Sequence, residues 1–158
     1  MGWSFPNPEA CHAWGKGLGE ILAIPAVIYL EGDLGVGKTT LAQGVLQGFG
    51  VPGRVKSPSY TLIESYATAS GPALHLDLYR LSDGEELEFL GIRDYLDEAA
   101  LWLIEWPERG SGFLPEPDLR LRLSIASPGQ HRLEVLLATA RGASWLPLPP
   151  AGENHDDG

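Results

Sequence analysis

Lysine is nearly missing from this chain: among 158 residues only Lys16, Lys38 and Lys56 carry an ammonium group. Lys and Arg together number 11 against 21 Asp and Glu, a formal charge of −10. Gripping a nucleic-acid backbone needs clustered basic side chains, so the composition argues against that role for the chain acting alone. Cysteine is reduced to Cys11, which rules out an intramolecular disulfide and a thiolate metal cluster and fits a reducing compartment. No signal-like apolar segment opens the sequence, and no apolar run approaches the roughly 20 residues that cross a bilayer. The expectation is a cytoplasmic protein with no membrane role. No internal repeat is visible, and the length suits one domain able to bury a core without metal or disulfide staples.

Against that scarcity, the position of Lys38 is informative. Residues 32–39, Gly-Asp-Leu-Gly-Val-Gly-Lys-Thr, fit the pattern G-x-x-x-x-G-K-[ST] at every fixed position and follow the apolar run 26–30. Glycines at 32, 35 and 37 let the backbone curl so that successive N–H groups, Val36 among them, point at phosphate oxygens. Lys38 adds a cation at the β- and γ-phosphates, and the Thr39 hydroxyl is a ligand for Mg²⁺. Residues 39–46, beginning Thr39-Thr40, read as the helix whose N-terminus completes the anion site.

The remaining pattern is α/β. Asn7-Pro8 predicts a helix cap followed by a helix over 9–22. The second half of 57–66 alternates apolar and polar, 73–79 repeats that alternation, and the two predict a hairpin turned at 70–72. Residues 85–90 predict a helix ended by Gly91. Residues 100–105 are apolar until Glu105, as in a central parallel strand. Strands near 119–125 and 132–137 flank turn chemistry at 127–130, and the Pro-, Gly- and acid-rich stretch 145–158 predicts poor order. The expected fold is one P-loop NTPase domain over 1–142, with a mixed, mainly parallel central sheet, flanking helices and a C-terminal antiparallel hairpin. A flexible tail is expected over 143–158.

A triphosphate–Mg²⁺ site needs a carboxylate besides the threonine hydroxyl. Glu105, ending the most apolar strand, is the first candidate for facing the metal. Asp77, in His75-Leu76-Asp77-Leu78-Tyr79-Arg80, is the second: it could help hold Mg²⁺ or orient the attacking water, or else pair with Arg80. His75 reads as hydrogen-bonded structure and Arg80 as a partner for a surface acid. Glu85, Glu86 and Glu88 read as a solvated helix face.

Residues 32–40, the run Lys56-Ser57-Pro58-Ser59-Tyr60-Thr61-Leu62, residues 75–81, Glu85-Glu86-Leu87 with Gly91, and Leu103-Ile104-Glu105-Trp106-Pro107-Glu108 together resemble the TsaE family, formerly YjeE, in order and spacing. The likeness runs from about residue 7 to about 135. It implies a bacterial ATPase needed, with TsaB and TsaD, for threonylcarbamoylation of the adenosine beside the anticodon in tRNAs reading codons that begin with A. It further implies that Thr39 and Glu105 hold Mg²⁺, that Asp77 is needed for hydrolysis, that residues 35–40 bind phosphates, and that 57–61 behaves as a switch. The adenine side maps to Asn7 and to Gly129-Gln130. Ser59 stands where the family most often has threonine. Contact with tRNA would then be indirect, through the complex.

A small-molecule P-loop kinase is the alternative, but the several lid arginines such an enzyme uses on its acceptor are not clustered in this sequence. A regulatory GTPase would carry an Asn-Lys-x-Asp guanine reader; its absence favours ATP.

Overall fold

The computed structural model describes residues 1–58, 60–146 and 155–156. Its chain alternates strands and helices: β1 (Gly2–Phe5), α1 (Pro8–Ile21), β2 (Ala26–Glu31), α2 (Lys38–Phe49), β3 (Ile63–Thr68), β4 (Gly71–Asp77), α3 (Glu85–Phe89), α4 (Ile92–Leu96), β5 (Leu101–Glu105), β6 (Leu119–Ser127), β7 (Gln130–Ala138), α5 (Ala140–Ala143) and the short β8 (His155–Asp156). The strands form one sheet in the order β3-β4-β5-β2-β6-β7-β1-β8. At its centre β4, β5, β2 and β6 run parallel, and the margins on either side are antiparallel. A mixed sheet with a parallel heart and a late β6–β7 hairpin is the architecture the sequence predicts.

Helices cover both faces at the centre of the sheet. On one side α1 and α2 lie over Ala26, Ile28, Leu30, Leu101, Leu103 and Leu121. On the other, α3, α4 and their loops lie over Leu74, Leu76, Trp102 and Ile104. Strand β5 sits between two parallel neighbours and all five of its residues are buried, the condition that its unbroken apolar run requires.

The packing of α1 on α2 explains an oddity of both sequences, the glycines inside helices. A Cβ on Gly19 would lie 2.1 Å from Val45 O, one on Gly44 2.3 Å from His12 O, and one on Gly48 2.1 Å from Lys16 O. The helix backbones therefore meet where a side chain would stand. That close approach offsets the roughly 1 kcal/mol that each mid-helix glycine costs relative to alanine, and it fixes α2 against α1.

Several local predictions hold in detail. Asn7 caps α1, its Oδ1 accepting from the Ala10 N–H at 2.8 Å, with Pro8 in the first turn. Gly91 takes a left-handed conformation after α3, as a helix stop requires, though α4 follows at once.

Others shift. Strand β1 was not expected; its Trp3 and Phe5 are buried beside Trp14, the Trp3 and Trp14 rings 4.9 Å apart. Helices α4 and α5 were also unforeseen. The hairpin turn lies ahead of Gly71 rather than around 70–72, and β3 starts at Ile63. The reason for the late start is local: Leu62 has φ 67° and donates its N–H to Pro58 O, so the chain is still turning there.

Trp145 is buried in the main core with Arg141 over its ring, so the packed chain passes the expected boundary at 142. Most of the stretch from which poor order was expected, residues 147–154, 157 and 158, lies outside the described residues, as does Ser59. Among the described residues no helix is long and apolar enough to cross a membrane.

Candidate active site

The turn from β2 into α2 carries the glycine-rich loop to the carboxyl end of the parallel strands, the end at which open α/β sheets place their ligands. Gly32, Gly35 and Gly37 all have positive φ. Gly32 cannot be replaced for a second reason: a Cβ there would lie 2.3 Å from Leu123 O and 2.9 Å from Val36 Cγ2. Gly37 occupies the N-cap of α2 without any side chain capping the helix. The first-turn N–H groups of α2 are therefore available to an anion, and the helix dipole favours one.

Lys38 begins α2 and is buried, its ammonium donating to Gly32 O and, at 2.8 Å, to Asp33 O. The same ammonium lies 4.3 Å from the centre of the Trp106 ring. Burial pulls its pKa below the ordinary lysine value, against the opposing influence of Glu105, Asp77, Glu108 and Asp33. One cation thus faces several carboxylates, an imbalance that a divalent metal would correct.

The acids meet as the strand register requires. Asp77 ends β4 and Glu105 ends β5, and the two are direct partners in the parallel pairing. Thr39 donates to the Glu105 carboxylate, its Oγ1 at 3.1 Å and 3.2 Å from the two oxygens. The cavity lined by Leu34, Gly35, Gly37, Lys38, Thr39, Thr40, Asp77, Glu105 and Trp106 has a volume of about 330 Å³. Burial pushes the Asp77 carboxyl above its ordinary value; the Tyr79 N–H bonded to it at 3.1 Å opposes this, and the neighbouring Glu105 adds to it. Arg80, an alternative partner for Asp77, lies over the Tyr60 ring instead.

The donors converging on this cavity are hard oxygens, the class that Mg²⁺ takes. Among the described residues no three His, Cys, Asp or Glu side chains form a metal cage. Such a cage is not needed where phosphates and waters complete the shell, because Mg²⁺ bound with a nucleotide takes only one or two protein ligands. Thr39 and Glu105 fit that role, with Asp77 beside them.

A second cavity of about 210 Å³ lies against the other side of the loop, lined by Pro8, Cys11, Gly35, Gly37, Thr40 and His131. His131 Nδ1 donates to Val36 O at 2.8 Å, tying the start of β7 to the loop. The three residues expected at the adenine side do not line either cavity: Asn7 is engaged as a helix cap, Gln130 accepts from Ser127 Oγ at 3.0 Å, and Gly129 forms the exposed β6–β7 turn. Their immediate neighbours in the chain, Pro8 and His131, do line the second cavity. Of the expected switch, the described residues among 57–61 line neither cavity; Tyr60 is exposed, and Thr61 Oγ1 donates to Glu64.

Two side chains at the first site make contacts that the sequence did not disclose. Trp106 directly follows Glu105, at φ 57° and ψ 50°, a left-handed conformation uncommon for a bulky residue. Its ring reaches Lys38 and stacks obliquely on Tyr79 at 5.0 Å. His75 is wholly buried and bonded to Glu105, where hydrogen-bonded structure was expected. The signal for Trp106 was its place beside the acid; nothing short of strand register could reveal the partner of His75.

The family described as threonylcarbamoyl adenosine biosynthesis protein TsaE matches residues 5–133. A Haemophilus influenzae relative, named tRNA threonylcarbamoyladenosine biosynthesis protein TsaE, is 47% identical over 146 residues, covering 89% of this chain and 92% of its own. A Bacillus subtilis relative of the same name is 36% identical over 156 residues, covering 98% of this chain and 95% of its own. Among solved structures, Bacillus subtilis YdiB superposes with a TM-score of 0.71 at 29% identity, over 92% of this chain and 90% of that one. Loop, acids, sheet order and these likenesses agree, and the chain belongs to the TsaE family of tRNA threonylcarbamoyladenosine biosynthesis proteins.

Proposed function

We propose that this protein is a Mg²⁺-dependent ATP hydrolase whose cycle serves tRNA threonylcarbamoylation at the adenosine beside the anticodon, acting on a complex of TsaB and TsaD. The observation that carries the hydrolase reading is the convergence of Thr39, Glu105 and Asp77 beside the uncapped start of α2. The relatives' names carry the pathway. The partners rest on the family resemblance.

In this reading the loop amides of residues 35–40 hold the phosphates, and the Lys38 ammonium turns from its loop carbonyls toward the β- and γ-oxygens. Mg²⁺, when bound, neutralises charge on those oxygens. Thr39 and Glu105 hold the metal's side of the cavity. Asp77, one strand away, accepts a hydrogen bond from the attacking water and aims it in line with the leaving group. Its raised pKa fits an acceptor whose charge is incompletely solvated. The adenine belongs to the cavity of Pro8, Cys11 and His131.

The test is ATP turnover and nucleotide affinity in three proteins, the wild type and two variants. Glu105→Ala and Asp77→Ala are expected to lose turnover on the order of 100-fold or more while still binding nucleotide. Unimpaired hydrolysis in either removes that acid from the scheme. Transfer of labelled phosphate to a small metabolite in place of water would instead favour a kinase.

A further inference from the structure

His75 is 0% exposed and its Nε2 stands 2.6 Å from Glu105 Oε2. Its other nitrogen, Nδ1, is buried with no hydrogen-bond partner among the described residues. Those two facts place the ring's hydrogen on Nε2, because a hydrogen on Nδ1 would be buried without an acceptor. A buried polar ring with one committed bond and one idle nitrogen is costly to keep, and a packing role alone would be better met by leucine.

The register explains why the bond falls where it does. Asp77 pairs with Glu105 and His75 with Leu103, so His75 and Asp77 project from the same face of β4, two residues apart, toward the Glu105 side of β5. Glu105 has the Thr39 hydroxyl 3.1 Å from Oε1 and 3.2 Å from Oε2, which alone leaves the carboxylate free to rotate. The imidazole engages Oε2 only.

We propose that His75 is a positioning residue for the metal-facing carboxylate: its Nε2–H anchors Glu105 Oε2 and so turns Oε1 toward the cavity beside Thr39. Outer hydrogen bonds of this kind fix the orientation of metal ligands, and their loss typically costs about 10- to 100-fold in metal affinity. The inference rests on Glu105 being the metal-facing acid of the reading above.

The experiment titrates Mg²⁺ into protein with ADP and follows nucleotide binding by calorimetry, with an EDTA arm, in wild type and in His75→Gln, His75→Asn and His75→Leu. Glutamine can set an amide N–H close to the position of Nε2; asparagine reaches only as far as Nδ1. The expected result is nucleotide affinity in EDTA within about two-fold of wild type throughout, and a Mg²⁺ requirement raised about 10-fold or more in His75→Leu and His75→Asn but largely restored in His75→Gln. Equal Mg²⁺ dependence in all four proteins overturns the proposal, as does equal impairment of the asparagine and glutamine variants. If His75→Leu does not fold, the contrast between asparagine and glutamine decides the matter by itself. Nucleotide binding in wild type that ignores Mg²⁺ would overturn the metal reading itself and this inference with it.

Discussion

The loop lysine shows how much a single residue discloses here. Its type, rarity and spacing mark it in the sequence as a candidate for phosphate binding, and the structure adds that its ammonium is held by Gly32 O, Asp33 O and the Trp106 ring. Lys38→Ala should weaken nucleotide binding at least ten-fold, about the worth of one charge-assisted hydrogen bond, as measured by calorimetry. Asp77 supports a different prediction. Its pKa is raised in the folded state, so the folded protein binds its proton more tightly than the unfolded chain. The stability this gives is complete below the unfolded value of 3.8 and is lost as pH rises through the folded one. At pH 7 the ionised carboxylate therefore costs stability, and Asp77→Asn should raise the melting temperature of the nucleotide-free protein there, an advantage that fades as pH falls toward 4. A difference between the two proteins that does not change with pH would contradict the role given to burial. Glu105 and Asp77 were legible because acids at the ends of apolar strands are conspicuous. The bond between His75 and Glu105 was not, since it depends on β4 and β5 lying side by side, which no local pattern encodes.

At the scale of elements, long periodic segments with caps were legible and short ones were not. Helix α1 announced itself through Asn7-Pro8, and β5 through its apolar run. Strand β1 has only four residues and helices α4 and α5 five and four, too few for periodicity to register. The glycines of α1 and α2 carried a signal of their own, spaced four apart at 15 and 19 and at 44 and 48, which marks two backbones in close contact. Gly44→Val should cost about 1–3 kcal/mol and lower the melting temperature by about 5 °C. Gly17 is the control: a Cβ there meets nothing within 4 Å, so Gly17→Ala should be neutral or stabilising by about 0.5–1 kcal/mol. Thermal denaturation of both variants checks the pair. If Gly44→Val melts with wild type, the helices are not locked by those contacts. Because α2 carries Lys38 and Thr39 at its start, loosening it should also weaken the nucleotide site.

For the molecule as a whole, the site is assembled from β2, α2, β4 and β5, and β5, distant from β2 in sequence, lies between β2 and β4 in the sheet. The glycine loop alone implied a nucleotide and a fold; the sheet order is what brings Glu105 and Asp77 to it. Arg109 lies over the Tyr79 and Trp106 rings, so its charge is engaged at the edge of the cavity. A transition-state cation would then have to come from rearrangement or from a partner, and hydrolysis by the protein alone should be slow. The net charge of −10 argues in the same direction, toward action on a protein complex rather than on RNA held by this chain. The most direct test is the rate of Mg²⁺-dependent ATP hydrolysis by the purified protein with and without TsaB and TsaD. The account predicts low turnover alone and a rise of at least about 10-fold with the partners, abolished by Glu105→Ala. An equal rate in both conditions, or no ATP hydrolysis in either, would contradict it.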